Sequence, residues 1–115
     1  MRKPRMAVVE SEARKRAERR WGVRLEVDLA VKLEVAQGRT AAARMRNASV
    51  SGALIECATE FPVFTPLRVE IQPIDRTREP LHLTARVVRA EHPWLGVEWR
   101  EFEPQPIAEL LEQML

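Results

Sequence analysis

The stretch Leu25-Glu26-Val27-Asp28-Leu29-Ala30-Val31-Lys32-Leu33-Glu34-Val35 decides the fold. Leu25, Val27, Leu29, Val31, Leu33 and Val35 take every second position, and Glu26, Asp28, Ala30, Lys32 and Glu34 fill the others. A period of two is the repeat of a β-strand, so this segment turns one apolar face to a core and one polar face to water. It predicts an interior that holds Val27, Leu29, Val31 and Leu33, joined by Val69, Leu83 and Val97 from later strands.

Downstream the same signal recurs in shorter pieces. Gln37-Gly38 reads as a turn. Arg39 to Arg46 alternates more weakly, with Ala41, Ala43 and Met45 against Arg44 and Arg46, and folds back as a hairpin. Asn47-Ala48-Ser49-Val50-Ser51-Gly52 then interrupts the pattern with short polar side chains and a glycine. Ser51 to Cys57 reads as a third strand, and Phe61 to Pro66 as a loop punctuated by proline. Leu67, Val69 and Ile71 mark a fourth strand, Pro73 to Pro80 a charged loop, and Leu81, Leu83, Ala85 and Val87 one face of a fifth. Val88 breaks that alternation, which predicts a bulge or a two-sided patch. His92-Pro93 marks a turn, and Leu95, Val97 and Trp99 the buried face of a sixth strand. Pro104 and Pro106 introduce a helix whose Ile107, Leu110, Leu111 and Met114 fall on one face. That stripe either packs on the chain's own strands or meets a partner subunit. Short strands at this spacing, with no alternating βα pattern, predict an all-β antiparallel barrel or sandwich.

Upstream, Met1 to about Val9 shows no periodicity and is expected to be disordered or loosely attached. Ser11 to Arg20 could form a short helix, with Ser11 as its cap and Glu12 in its first turn, until Gly22 breaks it. The charge is uneven. Net charge is +2, yet residues 1 to 24 hold nine basic and three acidic residues, and the remainder ten basic and fourteen acidic. A basic head on an acidic body predicts an anionic partner met by the head, or a solvated arm.

A chain of 115 residues suits one domain with one core. No apolar run reaches the length of a membrane span, and the basic start lacks the apolar segment of a signal peptide. The single Cys57 cannot close an internal disulfide, which predicts a reducing, cytoplasmic setting. One Cys and two His, His82 and His92, give no metal-ligand spacing, and no glycine-rich phosphate loop is present. The sequence therefore predicts no catalytic residues, no metal and no cofactor.

Two polar clusters remain. Arg19, Arg20 and Arg24 surround Trp21 just before the first strand. Arginine presents a planar fork of donors that fits phosphates and guanine edges, and it stacks on flat rings. Asn47 offers a donor and an acceptor, Ser49 a hydroxyl, and Gly52 either a positive φ or close approach of a ligand to the backbone. The competing reading of the second cluster is a plain turn, with Asn47 and Ser49 bonding their own backbone.

Taken together, Arg20 and Arg24 before the first strand and Asn47, Ser49 and Gly52 after the second resemble the motifs of the PilZ family. The Leu25–Leu33 strand, the Gly52-Ala53-Leu54-Ile55-Glu56 segment and the Leu95-Gly96-Val97-Glu98-Trp99 segment resemble that family's strands, so the likeness covers about residues 19 to 102. The resemblance implies a six-stranded antiparallel barrel of the split-barrel type at 19–103. A basic N-terminal arm at 1–18 would precede it and a short C-terminal helix at 104–115 would follow. It implies a bacterial, cytoplasmic binding domain whose ligand is cyclic di-GMP. Arg20 and Arg24 would be the clamps and Asn47, Ser49 and Gly52 the platform, with Arg19 and Trp21 as additional contacts. Arg16 and Arg20 share the spacing of Arg20 and Arg24, and Trp21 could stack on a base or pack on the barrel. Binding would rearrange the arm and so alter the interaction with a protein effector, in a monomer or homodimer. The alternatives are an adaptor of the same family that works without ligand, and a general polyanion binder. The acidic body and the lack of aromatic strand faces disfavour nucleic acid.

Overall fold

The computed structural model describes residues 24–101 and 104–114. The expected arm and helix before Arg24, with Arg16, Arg19, Arg20, Trp21 and Gly22, lie outside the described residues, as does the side chain of Met114.

Six strands follow in order: β1 (Leu25–Glu34), β2 (Thr40–Ala48), β3 (Gly52–Cys57), β4 (Pro66–Ile71), β5 (Leu81–Glu91) and β6 (Trp94–Trp99). A helix, α1 (Gln105–Met114), closes the described chain. Two three-stranded meanders, β1-β2-β3 and β4-β5-β6, are joined along both edges. β3 pairs with β6 and β1 with β4, so the sheet closes as a barrel in the order β1-β2-β3-β6-β5-β4. Every pairing is antiparallel. Closure gives each strand a neighbour on both sides, with the β1–β4 pairing confined to Val31–Glu34 and the β4–β5 pairing to Leu81–Arg86.

The connections obey local chemistry. The β1–β2 turn places Gly38 at φ 85°, a left-handed conformation that costs glycine little, and Gly38 N–H donates to the Val35 carbonyl. His92 and Pro93 form the two-residue link from β5 to β6.

The apolar side of each strand fills the barrel. Leu33, Met45, Ile55, Val69, Ile71 and Val87 are fully buried there. Leu29, Val31, Leu83 and Val97 are buried as the alternation predicts, whereas Val27 is half-buried at the rim of the cluster. The reason is a slip of register: Glu26 pairs with Asn47 and Leu29 with Met45, so β1 carries one residue more than β2 between them. A second slip gives β2 an extra residue, Arg46, opposite β3. A third lies at Val88, between the pairs Val87–Val97 and Arg89–Gly96, where the broken alternation predicted it. Ile107, Leu110 and Leu111 of α1 belong to the same buried cluster as the strands, so the helix packs on its own barrel. Pro106 sits in the first turn of α1, where a missing N–H costs nothing.

Replacing Leu33, fully buried on β1, by alanine should destabilise the fold by about 2–5 kcal/mol, read as a lower urea midpoint with an unchanged denaturant slope.

Candidate functional site

The site begins where β1 starts beside the end of β2. Leu25 pairs with Ala48 and Glu26 with Asn47, so Arg24 stands next to the last residues of β2. Its guanidinium Nη1 donates to Asn47 Oδ1 at 3.0 Å, on the outside of the barrel. Arg24 is exposed and Asn47 half-buried. That bond uses one donor of Arg24 and the amide oxygen of Asn47. Among the described residues, no other hydrogen bond engages the Asn47 NH₂ or the Arg24 guanidinium.

Asn47 and Ala48 belong to β2, not to the loop that the broken pattern suggested; the turn proper is Ser49-Val50-Ser51. The extra residue in β2 explains the misreading, since one added residue reverses which side chains face outward. Ser49 is buried and serves the turn itself. Its Oγ accepts from the backbone N–H of Ser51 at 3.2 Å and of Gly52 at 3.3 Å. It also lies 3.1 Å from Ser51 Oγ, and Ser49 N–H donates to the Gly52 carbonyl at 2.8 Å. So of the two residues expected to bond their own backbone in a plain turn, Ser49 does so and Asn47 bonds across to Arg24. Val50 points inward and is buried in the core, which fixes the turn against the barrel.

Gly52 lacks the positive φ considered for it and meets a packing constraint. A Cβ added there would stand 2.1 Å from the Val97 carbonyl oxygen, far inside contact distance. The glycine is thus required by the close approach of β3 to β6, and it carries no positive φ.

Sequence reasoning missed Trp99 as a site residue. Its indole Nε1–H donates to the Ser49 carbonyl at 3.0 Å, and its backbone N–H donates to the Ser51 carbonyl at 3.0 Å. One buried residue of β6 therefore holds both ends of the turn. The period-two pattern marked Trp99 as buried but could not show what its indole N–H finds.

Beside Asn47 lies a charged lattice that the sequence also left unread. Arg44 and Arg46 both reach Asp28 Oδ1 at 2.8 Å, and Arg46 Nε donates to Glu56 Oε1 at 2.9 Å. The extra residue in β2 puts Arg46 between a carboxylate of β1 and one of β3. The hydrogen bond from Arg44 holds the Asp28 carboxyl below its ordinary value; slight desolvation opposes this, and the charges of Arg44 and Arg46 add to it. Among the described residues no group of three or more His, Cys, Asp or Glu could hold a metal ion, and no helix is long and apolar enough to cross a membrane.

Fold and site together define a class: a small closed barrel with a filled interior and an Arg–Asn surface over a tightly pinned turn. The sequence matches the model of the PilZ domain over residues 14–115, and the chain belongs to that family. Among solved structures, it is similar to the PilZ domain of CeSA from a cellulose-synthesising bacterium. The TM-score is 0.61 at 19% identity, over 79% of this chain and 92% of that one. The inhibitor of motility MotI/DgrA from Bacillus subtilis superposes at TM-score 0.64 with 16% identity, over 79% of this chain and 48% of that one. The PilZ domain of YcgR from Escherichia coli, solved with c-di-GMP, gives 0.62 at 13% identity, over 79% and 84%. At these identities the likeness speaks to the fold. No curated protein matches the sequence.

Two outcomes test this geometry. Trp99→Phe keeps the ring but leaves the buried Ser49 carbonyl without its donor, so stability should fall by about 1–3 kcal/mol in chemical denaturation. Asp28 should titrate, by carbon NMR, below the ordinary aspartate value of about 3.9. Because its folded value is lowered, its stabilising effect is fully present above that ordinary value and is lost as pH falls through the lowered one. Replacing Arg44 by alanine should return the midpoint toward the ordinary value.

Proposed function

We propose that this protein is a receptor for cyclic di-GMP. In this reading Arg20 and Arg24 clamp the phosphates and guanine edges, with Arg19 and Trp21 as further contacts. Asn47 meets a guanine edge through its NH₂, while Ser49 and Gly52 shape the turn beneath it. The observation that carries the proposal is the Arg24–Asn47 hydrogen bond. It brings Arg24 to Asn47, 23 residues on, at an exposed position, and no other donor of either side chain is engaged among the described residues. The family membership and the YcgR domain solved with c-di-GMP support it.

The ligand is flat and doubly charged, so it needs cations for its phosphates and planar forks for its bases. A binding role of this kind requires no catalytic step and no cofactor. On binding, the residues leading into Arg24 close over the Asn47–Gly52 surface, and the rearranged basic segment presents a new face to a protein effector. Ordering costs conformational entropy, which the phosphate contacts offset. The reading places the protein in a reducing cytoplasm, in keeping with its unpaired, buried Cys57.

Calorimetry with cyclic di-GMP, GTP and a short DNA duplex tests the proposal. The dinucleotide should bind, and more weakly as salt rises. Arg24→Ala should weaken binding by about 1–3 kcal/mol without unfolding the barrel. Amide exchange over residues 10 to 24 should slow when ligand is added. Affinity unchanged with both Arg20 and Arg24 replaced would overturn the site. Absence of binding would leave a ligand-independent adaptor as the better reading.

A further inference from the structure

The end of the barrel away from Arg24 carries an apolar surface that the strands leave uncovered. A pocket of about 350 Å³ opens there, with the buried Cys57, Phe61 and Leu95 at its floor and Glu60, Ala90 and His92 at its rim. β4 pairs with β5 only as far as Arg86. The β3–β4 loop then takes over: Phe64 N–H donates to the Val87 carbonyl at 2.6 Å and Val87 N–H to the Thr65 carbonyl at 3.0 Å. Past Val87, no loop backbone bond reaches that side of β5 among the described residues. Leu95 turns its backbone groups to β3, in step with the 2.8 Å bond from Cys57 N–H to the Pro93 carbonyl. Ala90, opposite Leu95, therefore turns its own N–H and C=O away from β6, toward the open side.

The surroundings of the pocket are apolar too. Val63 and Phe64 on the loop and Val88 on β5 are exposed, Phe64 by 70%. Phe64 has φ 77°, a strained conformation for a bulky residue, and the bonds to Val87 hold it there. Apolar residues gathered in the open mark a docking surface. Its charge is acidic. The Glu60 side chain is 78% exposed and meets only His92 Nδ1, at 3.9 Å, and Glu91, beside Ala90, makes no ion pair among the described residues. Arg89 turns to the opposite face of β5, where its Cβ would stand 3.3 Å from a Cβ built on Gly96. Arg86, near the Phe64 ring, is paired with Glu98.

We infer that the segment Met6-Ala7-Val8-Val9 of this chain docks on that surface, with its apolar side chains over the pocket and Arg2, Lys3 and Arg5 against Glu60 and Glu91. The inference goes beyond the function proposed above and does not need its ligand. Within residues 1 to 24 this is the only run of four apolar residues, and the three basic residues just before it complement the acidic rim. Val8 and Val9 are β-branched and suit an extended segment laid along the open side of Ala90. The tether is long enough. Leu25 pairs with Ala48 and Ala48 with Ala53, two strand steps or about 10 Å, and Cys57 lies four residues farther along β3, about 13 Å. The residues from Val9 to Arg24 span up to about 50 Å when extended. Docking within one chain proceeds at high effective concentration, so a small contact area suffices. The basic arm is then held at both ends, at Arg24 and at the pocket.

The experiment uses the full chain with a nitroxide on Ser11→Cys in a Cys57→Ala background, read by the loss of amide NMR peaks. The peaks of Thr59, Glu60 and Ala90 should be lost, and those of Ile74 and Thr77, at the other end of the barrel, kept. Val8→Asp with Val9→Asp should restore the lost peaks, and Glu60→Lys with Glu91→Lys should restore them in part. A second measurement needs neither the nitroxide nor a change at Cys57. The Ala90 amide should exchange several-fold faster in the Val8→Asp, Val9→Asp chain than in the unaltered one. Mixing nitroxide-bearing chain with isotope-enriched chain that lacks it separates the occupants. Peak loss in that mixture assigns the surface to the segment of a second copy and overturns docking within one chain. Full peaks in every sample, with Ala90 exchange unchanged, overturn the docking altogether.

Discussion

Closure of a six-stranded sheet on itself governs the rest of this molecule. A barrel of so few strands leaves an interior that side chains fill, and Leu33, Met45, Ile55, Val69, Ile71 and Val87 occupy it. No lumen is left for a ligand, so recognition moves to the outer wall and to the turns that interrupt it. The wall supplies alternate positions free of packing duty. Asp28, Arg44 and Arg46 take such positions, as do Asn47, Arg86 and Glu98. Binding chemistry on this fold is thus a matter of which outward residues the register brings side by side.

Register is therefore the variable with most effect on the site. The extra residue in β2 sets Arg46 between Asp28 and Glu56 and leaves Asn47 beside Leu54. Two carboxylates engage Arg46, while Arg24 beyond the start of β1 meets a neutral amide. The contrast has an electrostatic meaning. A guanidinium already paired with carboxylates has little field left for a phosphate, whereas a bond to a neutral amide does not neutralise the charge.

The period-two alternation of Leu25–Val35 made the barrel wall legible, and the spacing of later strands made six of them countable. The bulge at Val88 was legible because the residue itself breaks the pattern. The slip between Glu26 and Leu29 was not, since the alternation there runs on without a flaw while the partner strand shifts. Of the candidate site, the residue types at Asn47, Ser49 and Gly52 stood out from the strand pattern. What each one does depends on a partner distant in sequence: Arg24 for Asn47, Val97 for Gly52, Trp99 for the turn around Ser49. Composition cannot disclose such pairings, because the first is created by the β1–β2 register and the other two by the β3–β6 seam.

That seam also bears on how the chain acquires its surface. Each meander is local in sequence, but β3–β6 and β1–β4 join residues about forty positions apart, such as Leu54 with Gly96 and Val31 with Ile71. Long loops must close before either seam forms, which favours late assembly along these lines. Trp99 reaches Ser49 and Ser51 only across the completed β3–β6 seam, so a half-assembled chain has no pinned turn to offer. A ligand held on that turn, as proposed above, would distinguish finished molecules from unfinished ones, and by mass action it would draw the population toward the closed form. Occupancy would then double as a folding checkpoint.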